Sequence, residues 1–155
     1  MDNLEKNLQK NLSLQLETEI GITFIEQAEK FFSLYNALRN KPQSDEGKYS
    51  ICYFVATIAL VGAVLERALQ VLRRNCLQQA GLCRFDEYAE LNQVVNSLEI
   101  NGILEPTIAQ QICFWLSLRE KVLMNQPEQL NSADVKQMLC GTRELLESVV
   151  RPSFS

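Results

Sequence analysis

Residues 51–65 read ICYFVATIALVGAVL, an apolar run interrupted only by Thr57 and Gly62. A membrane-crossing helix needs roughly 20 such residues. This run is shorter, and Glu66, Arg67, Arg73 and Arg74 follow it in the same helical pattern. A helix that is apolar all round belongs at the centre of a bundle or in a subunit interface. The pattern therefore predicts a long buried helix over about 49–80, capped by Gly81, and no membrane segment.

Working outward, the N-terminal side predicts a first helix over about 14–39. There Ile20, Phe24, Ala28, Phe31, Tyr35 and Leu38 recur at three- and four-residue steps and form its inner face. Asn40, Lys41 and Pro42 end it, and 43–48 is a polar turn. Residues 1–12 are polar, without the apolar stretch of a secretory signal. They read as a flexible N-terminal segment ahead of a single domain over 13–152.

On the C-terminal side a third helix is predicted over 86–99. Asp86, Glu87 and Glu90 form its acidic first turn, Leu91, Val94, Val95 and Leu98 its inner face, and Gly102 follows its end. Pro106 opens a fourth helix, where the missing N–H leaves nothing unpaired. Ile108, Ile112, Trp115, Leu116, Leu118 and Val122 lead it toward Asn125. A fifth begins at Ser132 as N-cap and runs through Val135, Met138, Leu139, Leu145, Leu146 and Val149 to Pro152. With no sustained alternation and short connections, the fold class is all-α, an up-and-down bundle of four to five helices.

Composition narrows the chemistry. The 155 residues contain no histidine, which excludes Ser-His-Asp and Cys-His catalysis, histidine metal sites and histidine acid–base steps. Five cysteines form no CxxC pair, and Cys52, Cys113 and Cys140 stand among apolar neighbours. They read as buried free thiols in a reducing, cytoplasmic setting. Met124 and Met138 read as core fillers. No phosphate-cradling loop or nucleophile elbow occurs, and no cofactor or metal is expected. The carboxylate pairs Glu26/Glu29 and Glu87/Glu90 read as solvated helix faces.

A net charge of −4 makes the whole chain no magnet for nucleic acid. Locally, 49–84 carries Arg67, Arg73, Arg74 and Arg84 against Glu66 alone, whereas 85–110 carries five carboxylates and no base. Two such helices attract each other along their edges. Arg73 and Arg74, with Phe85 and Tyr88 nearby, are the weaker candidate for a phosphate- or RNA-binding patch.

Residues 98–149 read LEINGILEPTIAQQICFWLSLREKVLMNQPEQLNSADVKQMLCGTRELLESV. A short Gly-Ile-Leu turn, a helix whose last apolar residues precede Arg119, a short loop and a capped helix with Asp134 near its start resemble the HEPN superfamily. More narrowly, it resembles the members paired with small nucleotidyltransferases. That resemblance implies a dimerising helical bundle, a nucleotidyltransferase-like partner and, in active members, RNA cleavage. The family motif is Arg, a polar residue and a His five to seven positions on. Here Leu118, Arg119 and Glu120 match its start, and Met124, Asn125 and Gln126 fill the His window.

Neither a thioether nor an amide shuttles protons near neutral pH, and losing such a group costs on the order of 10²–10⁴ in rate. The sequence thus predicts a non-catalytic HEPN-like bundle that dimerises, through apolar surface of the second and fourth helices, and binds a partner protein or RNA. Arg73, Arg74, Arg119 and Lys121 are the candidate nucleic-acid contacts. Two alternatives stay open. One is a ribonuclease with a non-standard site built from Arg119, Glu120 and Asn125. The other is an adaptor bundle unrelated to HEPN that binds a helix through an apolar groove. Arg119 itself also reads as a helix-end arginine that satisfies carbonyls and pairs with Glu120 or a neighbour.

Overall fold

The computed structural model describes residues 3–41, 47–79, 90–124, 126–127 and 130–150. Among the described residues five α-helices make an all-α bundle, α1 (Asn3–Leu38), α2 (Ser50–Gln79), α3 (Leu91–Ile100), α4 (Pro106–Leu123) and α5 (Ser132–Leu145). A 3₁₀ turn, Gly47–Tyr49, leads into α2, and a π-helical turn, Leu146–Val150, continues α5. Among the described residues there is no strand.

α2 is the hub. It packs against α1, α3, α4 and α5, and Phe54, Ile58, Val61, Leu65, Leu69 and Leu72 are all but fully buried. Each such side chain contributes about 1.5–3 kcal/mol of burial. α2 is also long and apolar enough to cross a membrane, with mean hydropathy 1.7 in its most apolar window, a property that the core helix of a bundle shares. A second, smaller core gathers Phe54, Ile58 and Val135 with Phe32 and Tyr35, where the Tyr35 and Phe54 rings stack 4.4 Å apart.

The local signals of the sequence set the C-terminal half. α3 buries Val94, Val95 and Leu98 as its spacing predicts. It ends in a Schellman motif: Ile103 N–H donates to Leu98 C=O at 2.9 Å, Gly102 N–H to Glu99 C=O at 3.0 Å, and Gly102 takes φ +74°. Pro106 opens α4. In α5, Val135, Met138, Leu139 and Leu145 face inward.

Several expectations need correction. α1 starts at Asn3 rather than near Leu14, running through part of the stretch read as a flexible N-terminal segment, because nothing between Leu4 and Leu12 breaks a helix. Its buried face is Thr18, Ile22, Ile25 and Ala28, and Ile20 and Phe24 are nearly half exposed. α3 starts after Glu90, an extended N-cap, five residues later than predicted. Asp86, Glu87, Gly81 and Pro152 lie outside the described residues. The N-cap of α5 is Asn131, whose side chain accepts from Ala133 N–H at 2.8 Å, and Ser132 is already helical.

Met138 fills the core, but Met124, the C-cap of α4, is 68% exposed. Cys52, Cys113 and Cys140 are free thiols, yet exposed rather than buried. Their apolar sequence neighbours occupy other faces of the same helices. Cys83 and the Cys76 side chain lie outside the described residues.

Candidate functional site

Arg119 sits in the last turns of α4, half-buried, and Nη2 lies 2.7 Å from Glu66 Oε2 on α2. Its stem runs beside Gly62, where a Cβ would stand 2.9 Å from Arg119 Cδ. The small residue in the apolar run of α2 thus admits the arginine. Arg119 and Glu120 border a hollow of about 370 Å³ with Glu90, Leu91, Asn92, Leu116 and Leu123. Two carboxylates face that space and a third holds the guanidinium. An incoming phosphate would meet net negative charge.

The other sequence candidates do not assemble around this point. Arg73 lies on the stripe of α2 that carries Glu66, two turns and roughly 10 Å further along. Arg73 and Arg74 are half-buried, and each already has an interaction within the fold. Lys121 is turned well away from Arg119 around α4, because two residues rotate a helix by about 200°. In the His window, Met124 is exposed and Gln126 half-buried, with Gln126 N–H donating to Lys121 C=O at 2.9 Å. Asn125, Phe85 and Tyr88 lie outside the described residues. Among the described residues no three His, Cys, Asp or Glu side chains gather to hold a metal ion.

A second cation is tied more fully. Arg143 of α5 reaches Glu29 at 3.1 Å, Glu147 at 3.3 Å and Glu26 at 3.8 Å. The hydrogen bond to Glu29, then that to Glu147, raises its already high pKa. Glu26 and Glu29, read from sequence as a solvated pair, thus clasp α5 to α1.

A second concavity draws on residues that the sequence assigns to other roles. An apolar groove of about 420 Å³ runs between α1, α2 and the π-helical turn. Ile20, Gly21 and Phe24 form one wall, Leu60, Ala63 and Val64 another, and Leu146 and Val150 the end. Gly21 brings α1 close to that turn, since a Cβ there would meet Leu146 Cδ1 at 3.2 Å. Arg67 Nη2 donates to Glu17 Oε1, and both residues border the groove.

From the groove an exposed apolar row continues along α1. Phe24, Ile20, Leu16, Leu12, Leu8 and Leu4 follow at four-residue intervals, and the four leucines are each more than half exposed. The signal for this surface was the spacing of those leucines. Beginning α1 near Leu14 and assigning Ile20 and Phe24 to the core hid it. Comparison with protein-family models, curated proteins and solved structures finds no match to the chain.

Proposed function

We propose that this protein is a non-catalytic helical interaction module that forms a homodimer and holds a protein partner. The observation that carries this reading is the α1–α2 groove with its apolar row. It is a continuous exposed apolar surface of the kind that marks protein-binding faces. The Arg119–Glu66 pair and the carboxylates beside it support a structural role for Arg119 over a phosphate-binding one. The HEPN-like pattern of 98–149 is compatible with this reading as a bundle without its usual reaction. It also suggests a nucleotidyltransferase-like protein as the hetero-partner. In this proposal α2 is the core of a cytoplasmic bundle.

Two measurements test it. Light scattering at micromolar protein is expected to give twice the chain mass, and a monomer would remove the dimer. Incubation with single-stranded RNA across pH 5–9 without metal is expected to leave the RNA intact; cleavage abolished by Arg119→Ala would replace the module with the ribonuclease reading.

A further inference from the structure

The apolar row on α1 has a geometry that selects its own partner. Four residues turn a helix about 40° past a full turn, so an i+4 row is an inclined ridge, not a straight stripe. Leu4, Leu8, Leu12 and Leu16 form that ridge on the outer face of α1. At its C-terminal end the ridge passes through Ile20 and Phe24 into the groove beside α2. Ridges of this kind mesh best with another i+4 ridge, at a crossing angle near −50°.

We infer that the groove and row are occupied by the same elements of a second copy, with the two α1 helices crossing antiparallel between Leu12 and Leu16. The inference rests on the dimeric reading above and specifies its surface. At the crossing, Leu12 of each copy meets Leu16 of the other. The crossing angle carries the N-terminal half of each α1 toward the other's α2. Leu4 and Leu8 then lie over the groove floored by Leu60, Ala63 and Val64. Each copy supplies one ridge and one groove, the self-complementarity that a two-fold interface requires.

The area and the flanking polarity agree with this occupant. Complete burial of the exposed parts of the six row residues gives at most roughly 1,200 Å² over two copies, the lower bound of a specific interface. Beside the row, Glu5 and Gln9 stand toward the N-terminal end and Glu19 toward the other, while Glu17 is already paired with Arg67. Antiparallel crossing sets Glu19 of one copy near Gln9 of its mate. Parallel crossing would set Glu19 of one copy toward Glu19 of the other. A lipid surface suits the row less well, since its flanks are not basic.

The test is oligomeric state in the full-length chain, by sedimentation or light scattering, for wild type, Leu12→Lys, Leu16→Glu and Ala63→Arg. These positions are exposed, so circular dichroism is expected to show unchanged helicity. Each substitution is expected to weaken the dimer at least about tenfold. An equimolar mixture of the Leu12→Lys and Leu16→Glu chains is expected to regain a dimer, because only the antiparallel register sets the new lysine opposite the new glutamate. A wild-type dimer unaffected by the three substitutions overturns this interface and leaves the dimeric reading standing. Variants that weaken the dimer but do not recover on mixing overturn the antiparallel register. A monomeric wild type overturns the dimeric reading and this inference with it.

Discussion

Arg119 reaches from α4 to α2 and sets its guanidinium 2.7 Å from the Glu66 carboxylate, its stem beside Gly62. The residue that the sequence offers as a candidate nucleic-acid contact is thereby part of the contact between two core helices. Both partners keep some solvent access, 26% for Arg119 and 40% for Glu66, so the pair is worth little in isolation. Arg119→Ala is expected to lower the unfolding free energy by about 1 kcal/mol, part of it from lost packing of the stem. Glu66→Gln is expected to lower it by about 0.5 kcal/mol. Urea titration of the single and double variants checks this. A coupling above about 2 kcal/mol would show that the pair is far better shielded than its exposure implies.

Trp115 and Gly141 make a tighter contact. A Cβ at position 141 would stand 2.0 Å from the far edge of the buried indole, a distance no rotamer adjustment of a fully packed ring relieves. Alanine would favour the helix by about 1 kcal/mol at an open site. Here Gly141→Ala is expected to destabilise by about 2–3 kcal/mol as α4 and α5 are forced apart. Thermal unfolding reads the loss, and an unchanged or raised Tm would contradict it.

Thr142, the next residue, is fully buried, and its hydroxyl has no hydrogen-bond partner among the described residues. An unmade hydrogen bond in an apolar core costs more than the group returns. Valine has the same shape without the polar atom. Thr142→Val is therefore expected to stabilise the fold by about 1 kcal/mol, seen as a higher urea midpoint at constant slope.

Cys113 on α4 provides a pH-dependent observable. Partial desolvation of the sulfur first, although the residue as a whole is exposed, and the negative charge of Glu99 second, push its thiol up from the ordinary value. Both disfavour the thiolate, which is the form that reacts. The alkylation rate of Cys113, followed by mass spectrometry against pH, is expected to reach its midpoint above the usual thiol value of about 8.5. Glu99→Gln is expected to move that midpoint down only part of the way, because partial desolvation of the sulfur is the larger cause. A midpoint at or below the usual thiol value in the wild type would refute the account.

How much of the site was legible follows from the range of each interaction. The inner faces of α3 and α4, the positive-φ Gly102 and Pro106 at the start of α4 depend on neighbours within a few positions, and periodicity reports them directly. The inner face of α1 was misplaced for a reason specific to that helix. Apolar residues occur on two of its faces, so the spacing that joins Ile20 to Phe24 also joins Leu4 to Leu16. Nothing local says which face the bundle covers. Cys52, Cys113 and Cys140 were misread in the same way, by chain neighbours instead of face neighbours.

The amino-acid sequence by itself determined an all-α chain with a central apolar helix and no histidine chemistry. Helical periodicity, caps and the absence of a residue type are properties of short segments or of composition. Only the tertiary structure decided that Arg119 faces Glu66, that Arg143 draws Glu26, Glu29 and Glu147 together, and that Ile20 and Phe24 wall a groove instead of filling a core. The physical reason is the rotation of each helix about its own axis. It is set by the summed packing of every neighbour around α2, a sum that no single segment contains.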